Sequence, residues 1–320
     1  MNFFKWGAIV KRYYIGLDIG TSSTKLIVFD EQSLEIKYKI AQNYDFFLDE
    51  RFGITIDPRD IENGVRHCLL SAAETLKSYS SEKKEVYIVL DTMLHSLLFL
   101  DDDMKPIVKL IPWTNELGTD LVIVILKDDS LANELHSRTG CPVAPTYPLY
   151  KLIWFSKNES DILERSSKIA SIKDYLVYVM TNFFVVDKSI ASGSGCYDIR
   201  ADRWAYDLLS ELAGLKTSLF PEVVSGDTIL SPGNFIKEIF DERSFDVKVV
   251  IGTSDGAASS MGTTLADSSL ITISLGTSAA IRRVSNKIPE PAKMPGFGPW
   301  CYIFDDSNYI IGSATNNCGN

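Results

Sequence analysis

The chain has 320 residues, 45% hydrophobic and 23% charged, which is the balance of an ordinary soluble globular protein at a length that calls for two domains. A net charge of −10 excludes a nucleic-acid or anionic-membrane partner, so any phosphate binding has to come from backbone donors, hydroxyls and a metal. Five scattered cysteines (Cys68, Cys141, Cys196, Cys301 and Cys318) contain no C-x-x-C pair, which excludes a zinc site and a disulfide framework and predicts a reducing, cytoplasmic setting.

Residues 1–12 read as an N-terminal extension, without the long apolar core and small-residue cleavage site of a signal peptide. From Tyr13 to Ala41 the pattern is strand, turn, strand, a second turn at Asp30–Ser33, and a third strand from Leu34, an antiparallel meander. A helix follows, capped by Asp57 and opened by Pro58, with Ile61, Val65, Cys68, Leu69, Ala72 and Leu76 as its buried stripe. Glu85–Asp91 and His95–Asp101 read as strands, and the stretch beyond Trp113 as mostly helix. Helical segments are also predicted at 147–158 and 174–180, with Ser192–Gly195 and Ser231–Asn234 as loops. The apolar run Val247–Gly252 ends in Gly252-Thr253-Ser254-Asp255-Gly256, a small-residue helix follows, and two further strands lie around Tyr302 and Ile310. The predicted division is a first domain over 13–245 and part of a second over 246–320, with the second expected to be cut short. The longest apolar patch, Tyr175–Val186, is too short to span a bilayer.

Two segments repeat one theme. Asp18-Ile19-Gly20-Thr21-Ser22 and Ser274-Leu275-Gly276-Thr277-Ser278 each run an apolar strand into Gly-Thr-Ser and out again. Glycine permits a tight reversal whose backbone N–H groups face an anion, and the hydroxyls add donors, so the pair reads as two phosphate grips on one nucleotide. Asp18, at the end of an apolar strand, is unneeded for packing and placed to hold Mg²⁺ or its waters. No Walker loop and no dinucleotide fingerprint occurs.

Taken together, these segments resemble the FGGY family of carbohydrate kinases. The likeness rests on Asp18-x-Gly20-Thr21-x-x-x-Lys25, on Gly252–Gly256, on Ser274–Ser278, and on Met93-Leu94-His95-Ser96 with Pro112-Trp113-Thr114-Asn115. Ser171–Leu176, Ala191–Gly195, Thr139–Pro142 and Gly312–Asn317 look most like its gluconate-kinase branch, with xylulose kinases as close rivals. The resemblance implies an α/β actin- and hexokinase-like ATPase fold of duplicated ribonuclease H-like domains with mixed sheets flanked by helices, the second domain incomplete. It implies ATP and Mg²⁺ as cofactors and a small sugar or sugar acid as substrate, gluconate first, and it leaves a homodimer open. Asp255 becomes the general base, Asp18 the metal ligand, and Gly20, Thr21, Ser22, Lys25, Gly276, Thr277 and Ser278 the phosphate contacts. His95, Trp113, Asn115 and Asp255 become the sugar contacts.

Read on residue type alone, Asp255 would serve equally as a helix N-cap, Lys25 as a solvated face residue, and His95 and Trp113 as structural core. Three positions depart from the family pattern: Asn115 stands where an aspartate is usual, Leu117 where a basic residue is, and Met93 where glutamine is common. Losing a charge-assisted bond and an arginine fork would change sugar preference. The alternatives are a xylulose or other pentulose kinase, whose family branch shares the sugar-side histidine, or a non-catalytic sugar-binding homologue, which Asn115, Leu117 and the expected short second domain favour. An actin-like or chaperone-like ATPase is weaker still, since it needs neither His95 nor Trp113.

Overall fold

The computed structural model describes residues 11–79, 82–264, 267–275 and 279–315. β1 (Lys11–Ile19), β2 (Ser23–Asp30) and β3 (Ile36–Asn43) form the expected meander, with Asp18 opposite Lys25 and Lys25 opposite Ala41. β1 takes up two residues assigned to the N-terminal extension. The third strand begins at Ile36 instead of Leu34, because Leu34 adopts φ 54° within the turn, a left-handed value incompatible with strand pairing. A short hairpin that the sequence reading did not foresee, Phe46–Asp49 with Gly53–Ile56, leads into the first helix.

α1 (Pro58–Tyr79) starts as predicted, Asp57 Oδ1 accepting from the Arg59 N–H at 3.0 Å, and its predicted stripe is fully buried. It carries the chain over the sheet face to β4 (Lys84–Thr92), which runs parallel beside β1. The predicted strand from His95 shrinks to Leu98–Leu100, because His95 sits at φ 61° and breaks the run.

Helices then follow: α2 (Thr119–Ile125), α3 (Asp129–Thr139), α4 (Pro148–Asn158), α5 (Ser160–Arg165), α6 (Ile172–Thr181), α7 (Lys188–Ser192) and α8 (Tyr206–Ala213). Local chemistry sets their ends. Asp128 accepts from Ser130 and Leu131 N–H groups at the start of α3, Pro148 opens α4, and Ser171 with Asp174 makes a capping box on α6. An edge strand β5 (Ile229–Leu230), α9 (Asn234–Ile239) and β6 (Phe245–Ser254) complete the first sheet in the order β5-β6-β4-β1-β2-β3. The first sheet thus continues past the boundary expected at residue 245. β6 belongs to the first sheet, because Val247, Val249 and Ile251 fill the same core as Val86, Ile88 and Leu90 under α1, α6 and α9.

α10 (Asp255–Thr264) leaves that sheet, and the second sheet comprises β7 (Ile271–Leu275), β8 (Ala279–Ser285), β9 (Trp300–Ile303) and β10 (Tyr309–Thr315), antiparallel in the order β7-β8-β10-β9. Val284, Trp300, Tyr302 and Ile310 share a second core with α3, α4 and α8, so the two sheets are bridged by the helical layer. Gly140 (φ 70°) ends α3 there, and a Cβ on it would stand 2.1 Å from the Cys301 carbonyl oxygen, a contact that only glycine permits. Cys68, Cys141, Cys196 and Cys301 are buried free thiols; Cys318 lies outside the described residues. Among the described residues no helix is long and apolar enough to cross a membrane.

Candidate active site

Three parallel neighbours, β1, β4 and β6, end on one side of the sheet, and the register sets Asp18 beside Asp91 and Asp91 beside Thr253. The outer edge at the carboxyl ends of parallel strands is where such sheets bind ligands. β6 reaches it through a bulge between Val250 and Thr253, at Gly252 (φ 72°), whose Cα lies so close to β4 that a Cβ would meet the Leu90 carbonyl oxygen at 1.8 Å. Lys173, wholly buried on α6, donates to the Leu90 and Thr253 carbonyls at 3.1 and 2.9 Å and lies 3.3 Å from Asp187. On the other flank Ser189 Oγ, held by Asp187, accepts from the Ser254 N–H at 2.9 Å. The bulge is thus locked, and Asp255 emerges as the first residue of α10, its carboxylate accepting from the Gly256 N–H at 2.6 Å.

Asp18 stands close enough to Asp91 and Asp255 for its charge to act on both. Burial, then the negative charge of Asp18 and, after the opposing Lys173, that of Asp255, push Asp91 up to about 7. Asp255 keeps access to solvent, yet the protein packed around it and the charge of Asp18 raise it to about 6 against the Gly256 N–H, Arg282 and Lys25. Lys25, expected as a solvated face residue on its type alone, turns to the site, its Nζ 3.1 Å from Asp18 Oδ2. No group of three His, Cys, Asp or Glu side chains among the described residues is arranged to hold a metal ion unaided. The donor set nonetheless suits a hard cation. Asp18 and Asp91 are two oxygen donors whose mutual repulsion a divalent ion would relieve, the other positions going to phosphates and water.

The first Gly-Thr-Ser turn closes with the Gly20 N–H on the Ser23 carbonyl at 3.0 Å and is pinned from outside by Tyr44, whose hydroxyl donates to the Gly20 carbonyl and whose N–H reaches the Ser22 carbonyl at 3.1 Å. Trp113 Nε1–H donates to Thr21 Oγ1 at 2.9 Å, so the tryptophan ties the expected sugar side to the phosphate turn. His95 Nδ1 lies 2.7 Å from the Gly193 carbonyl, which fixes the proton on Nδ1 and leaves Nε2 as an acceptor. Burial holds this imidazole down at about 3, hence neutral, between the edges of Tyr147 and Tyr302 at 4.8 and 5.9 Å. Beneath it buried Lys151, pulled down by burial to about 7, donates to the Pro112 carbonyl at 2.7 Å and fastens the Trp113 loop to α4.

Asn115 is not brought to this site. It is 3% exposed, its amide donates to the Phe52 and Ile54 carbonyls, and its oxygen accepts from the Leu117 N–H at 2.9 Å, so its polar groups shape the loop instead of facing a ligand. Gly276, Thr277 and Ser278 lie outside the described residues; Leu275 and Ala279 on either side of them are paired. The structure adds residues that the sequence reading passed over. Asp91 carried the same signal as Asp18, an acid closing an apolar strand, whereas Lys173, Tyr302 and Arg282 carried none that spacing could reveal.

Residues 13–262 match the FGGY family of carbohydrate kinases, N-terminal domain. A gluconokinase of Bacillus subtilis is 28% identical over 309 residues, 96% of this chain and 58% of that protein. A xylulose kinase of Lactococcus lactis is 27% identical over 286 residues, 87% of this chain and 54% of that protein. Among solved structures, a gluconate kinase from Lactobacillus acidophilus superposes with a TM-score of 0.85 at 26% identity, covering 97% of this chain and 61% of that one. The chain therefore spans about 58% of the length of the gluconokinase it matches. Its mixed sheet flanked by helices is the actin- and hexokinase-like architecture expected from the sequence.

Proposed function

Because this chain belongs to the FGGY family of carbohydrate kinases, we propose that it transfers the terminal phosphoryl group of ATP to a hydroxyl of a sugar or sugar acid, gluconate foremost. The observation that carries this reading is the convergence of Asp18, Asp91 and Asp255 at the ends of three adjacent parallel strands, next to the Gly20–Ser22 turn that follows β1. Phosphoryl transfer asks for alignment and neutralisation of charge more than for covalent participation by the protein.

In this reading the ionised Asp255 accepts the hydroxyl proton as the sugar oxygen forms its bond to phosphorus and the bond to the ADP oxygen breaks. Raised to about 6, Asp255 is mostly ionised above neutral pH while remaining basic enough to take the proton. Gly20, Thr21 and Ser22 donate to phosphate oxygens, and Gly276, Thr277 and Ser278, by their residue types, are the second set of donors. Lys25 pairs with Asp18 and lies beside the turn that would hold the same phosphates. Asp18 and Asp91 would hold Mg²⁺, which would supply neutralisation of phosphate charge. His95 Nε2 accepts from a sugar hydroxyl, and Trp113 positions Thr21 while closing the sugar side. The sugar contacts and the first phosphate grip belong to the part up to α10.

Gluconate is favoured by the 96% coverage of this chain in its match to the gluconokinase. A pentulose substrate is the second reading, favoured by the xylulose-kinase match and by His95 on the sugar side. A coupled ADP-release assay over gluconate, xylulose, ribulose and glycerol tests both. Gluconate-stimulated release supports the first reading, release with xylulose alone shifts the substrate to the second, and no sugar-stimulated release from folded protein rejects the kinase reading.

A further inference from the structure

Arg282 stands on β8, the strand that leaves the second Gly-Thr-Ser segment, with its guanidinium turned back over the start of α10. Nη1 donates to Ser274 Oγ at 3.0 Å, and Cζ lies 6.0 Å from the Trp300 ring centroid. Nε and Nη2 would lie 3.2 and 3.4 Å from a Cβ built on Gly256, so the glycine directly after the proposed base leaves room for this fork. Arg282 is half-buried, and among the described residues no carboxylate forms an ion pair with it. One of its five N–H donors is held by a serine hydroxyl, which leaves a planar, permanently charged fork beside Asp255.

Charge decides what that fork is for. A magnesium-bound triphosphate brings about two further negative charges to a cleft that already gathers Asp18, Asp91 and Asp255 in a protein of net charge −10. Lys25 is paired with Asp18, and Lys173 is buried behind the strands on two carbonyls and Asp187. Lys151 is buried behind the sugar side on the Pro112 and Thr146 carbonyls, whereas Arg282, committed to no described carboxylate, borders Asp255 itself. The aromatic run from Trp300, stacked on Tyr302 at 4.5 Å, to His95 separates it from the far end of the sugar side. Its position therefore suits the group in flight more than a substituent at the other end of the acceptor.

Building on the kinase reading above, we propose that Arg282 is a catalytic residue whose guanidinium takes two oxygens of the phosphoryl group as it passes from ATP to the sugar hydroxyl beside Asp255. The test compares kcat and KM of the wild type with Arg282→Ala, Arg282→Lys and Ser274→Ala on gluconate and on xylulose as a neutral acceptor. Added guanidinium chloride at tens of millimolar provides chemical rescue. Arg282→Ala should lose about 10²–10³-fold in kcat on whichever acceptors the wild type uses, as for loss of one preorganised donor, with sugar KM little changed. Guanidinium should restore part of the loss, Arg282→Lys should fall in between, and Ser274→Ala should lose far less. Where the alanine variant melts early, the lysine variant decides, since it keeps the charge and most of the bulk: reduced kcat at wild-type Tm supports the proposal. Unchanged kcat in either variant overturns it, as does a loss confined to gluconate in an enzyme that also turns over xylulose, or a loss on gluconate that lies in KM and not in kcat; either would make Arg282 an anchor for the acid group. A folded wild type without sugar-stimulated turnover rejects the kinase reading and this proposal with it; turnover indifferent to Arg282 rejects this proposal alone.

Discussion

Replacing Gly252 by alanine should damage the protein far more than a one-carbon change normally does. The residue holds φ 72°, a conformation costing an L-residue about 1–2 kcal/mol. Its new Cβ would stand 1.8 Å from the Leu90 carbonyl oxygen and 2.8 Å from its carbon, so β4 and β6 have to part by more than an ångström. Retreat is blocked on the other side, where the Gly252 N–H donates to the Gly226 carbonyl at 2.7 Å and a Cβ on Gly226 would already meet the Gly252 oxygen at 2.5 Å. Losing one or two of the local hydrogen bonds adds about 1 kcal/mol each, and the residual crowding brings the total to about 3–5 kcal/mol, the upper end for a single substitution. Gly214 supplies the control. It has φ 65° at the end of α8 with nothing within 4 Å of a Cβ, so Gly214→Ala carries the conformational cost alone, about 1–2 kcal/mol. Thermal unfolding of both variants, at about 2–3 °C per kcal/mol for a chain of this size, should show Gly252→Ala losing about 6–15 °C and Gly214→Ala about 2–6 °C. Equal losses in the two would refute the claim that backbone contact across the bulge, and not left-handed geometry, demands glycine at 252.

Asp255→Asn should retain sugar binding by calorimetry while kcat falls about 10²–10⁴-fold, the usual cost of removing a general base; near-normal turnover would remove Asp255 from that role. In the wild type, turnover should decline as pH falls through about 6, where Asp255 takes up its proton, and the acid limb should not sit near the ordinary aspartate value. Asp91, raised to about 7 from 3.8, is a carboxylate whose charged form the fold disfavours, so it contributes instability that is absent below about pH 4, grows up to about 7 and stays constant above it. Asp91→Asn should therefore match the wild-type Tm at acid pH and exceed it at alkaline pH, and a gap that closes with rising pH would reverse the sign. His95→Asn, which tolerates the left-handed φ, should stay closer to the wild-type Tm than His95→Ala, while both raise the KM for sugar; unaltered KM would leave His95 a structural residue.

Strand and helix periodicity carried most of the fold, because the meander, α1 and the later helices each present a continuous apolar face. What periodicity could not carry was partnership between distant segments. The run Val247–Gly252 looks like the start of a new domain until pairing with Lys84–Thr92 claims it for the first sheet. Asp91 looked like a strand end until parallel register set it beside Asp18. His95 was placed on a strand because its neighbours are leucine and phenylalanine, yet its left-handed backbone turns the ring to Gly193. Asn115 resembled a ligand-binding residue by position, but the unforeseen hairpin at 46–56 occupies its amide. Arg282 gave no signal at all, since its place depends on the pairing of β8 with β7 and on a glycine on α10.

The central claim is that Asp18, Asp91 and Asp255 form one phosphoryl-transfer site. The most direct measurement follows the terminal phosphate of γ-labelled ATP in the presence of magnesium and gluconate, for the wild type and for Asp255→Asn. The account predicts label in a sugar phosphate with the wild type and almost none with the variant. Label released only as inorganic phosphate at a rate indifferent to sugar, or transferred equally by both proteins, would contradict it.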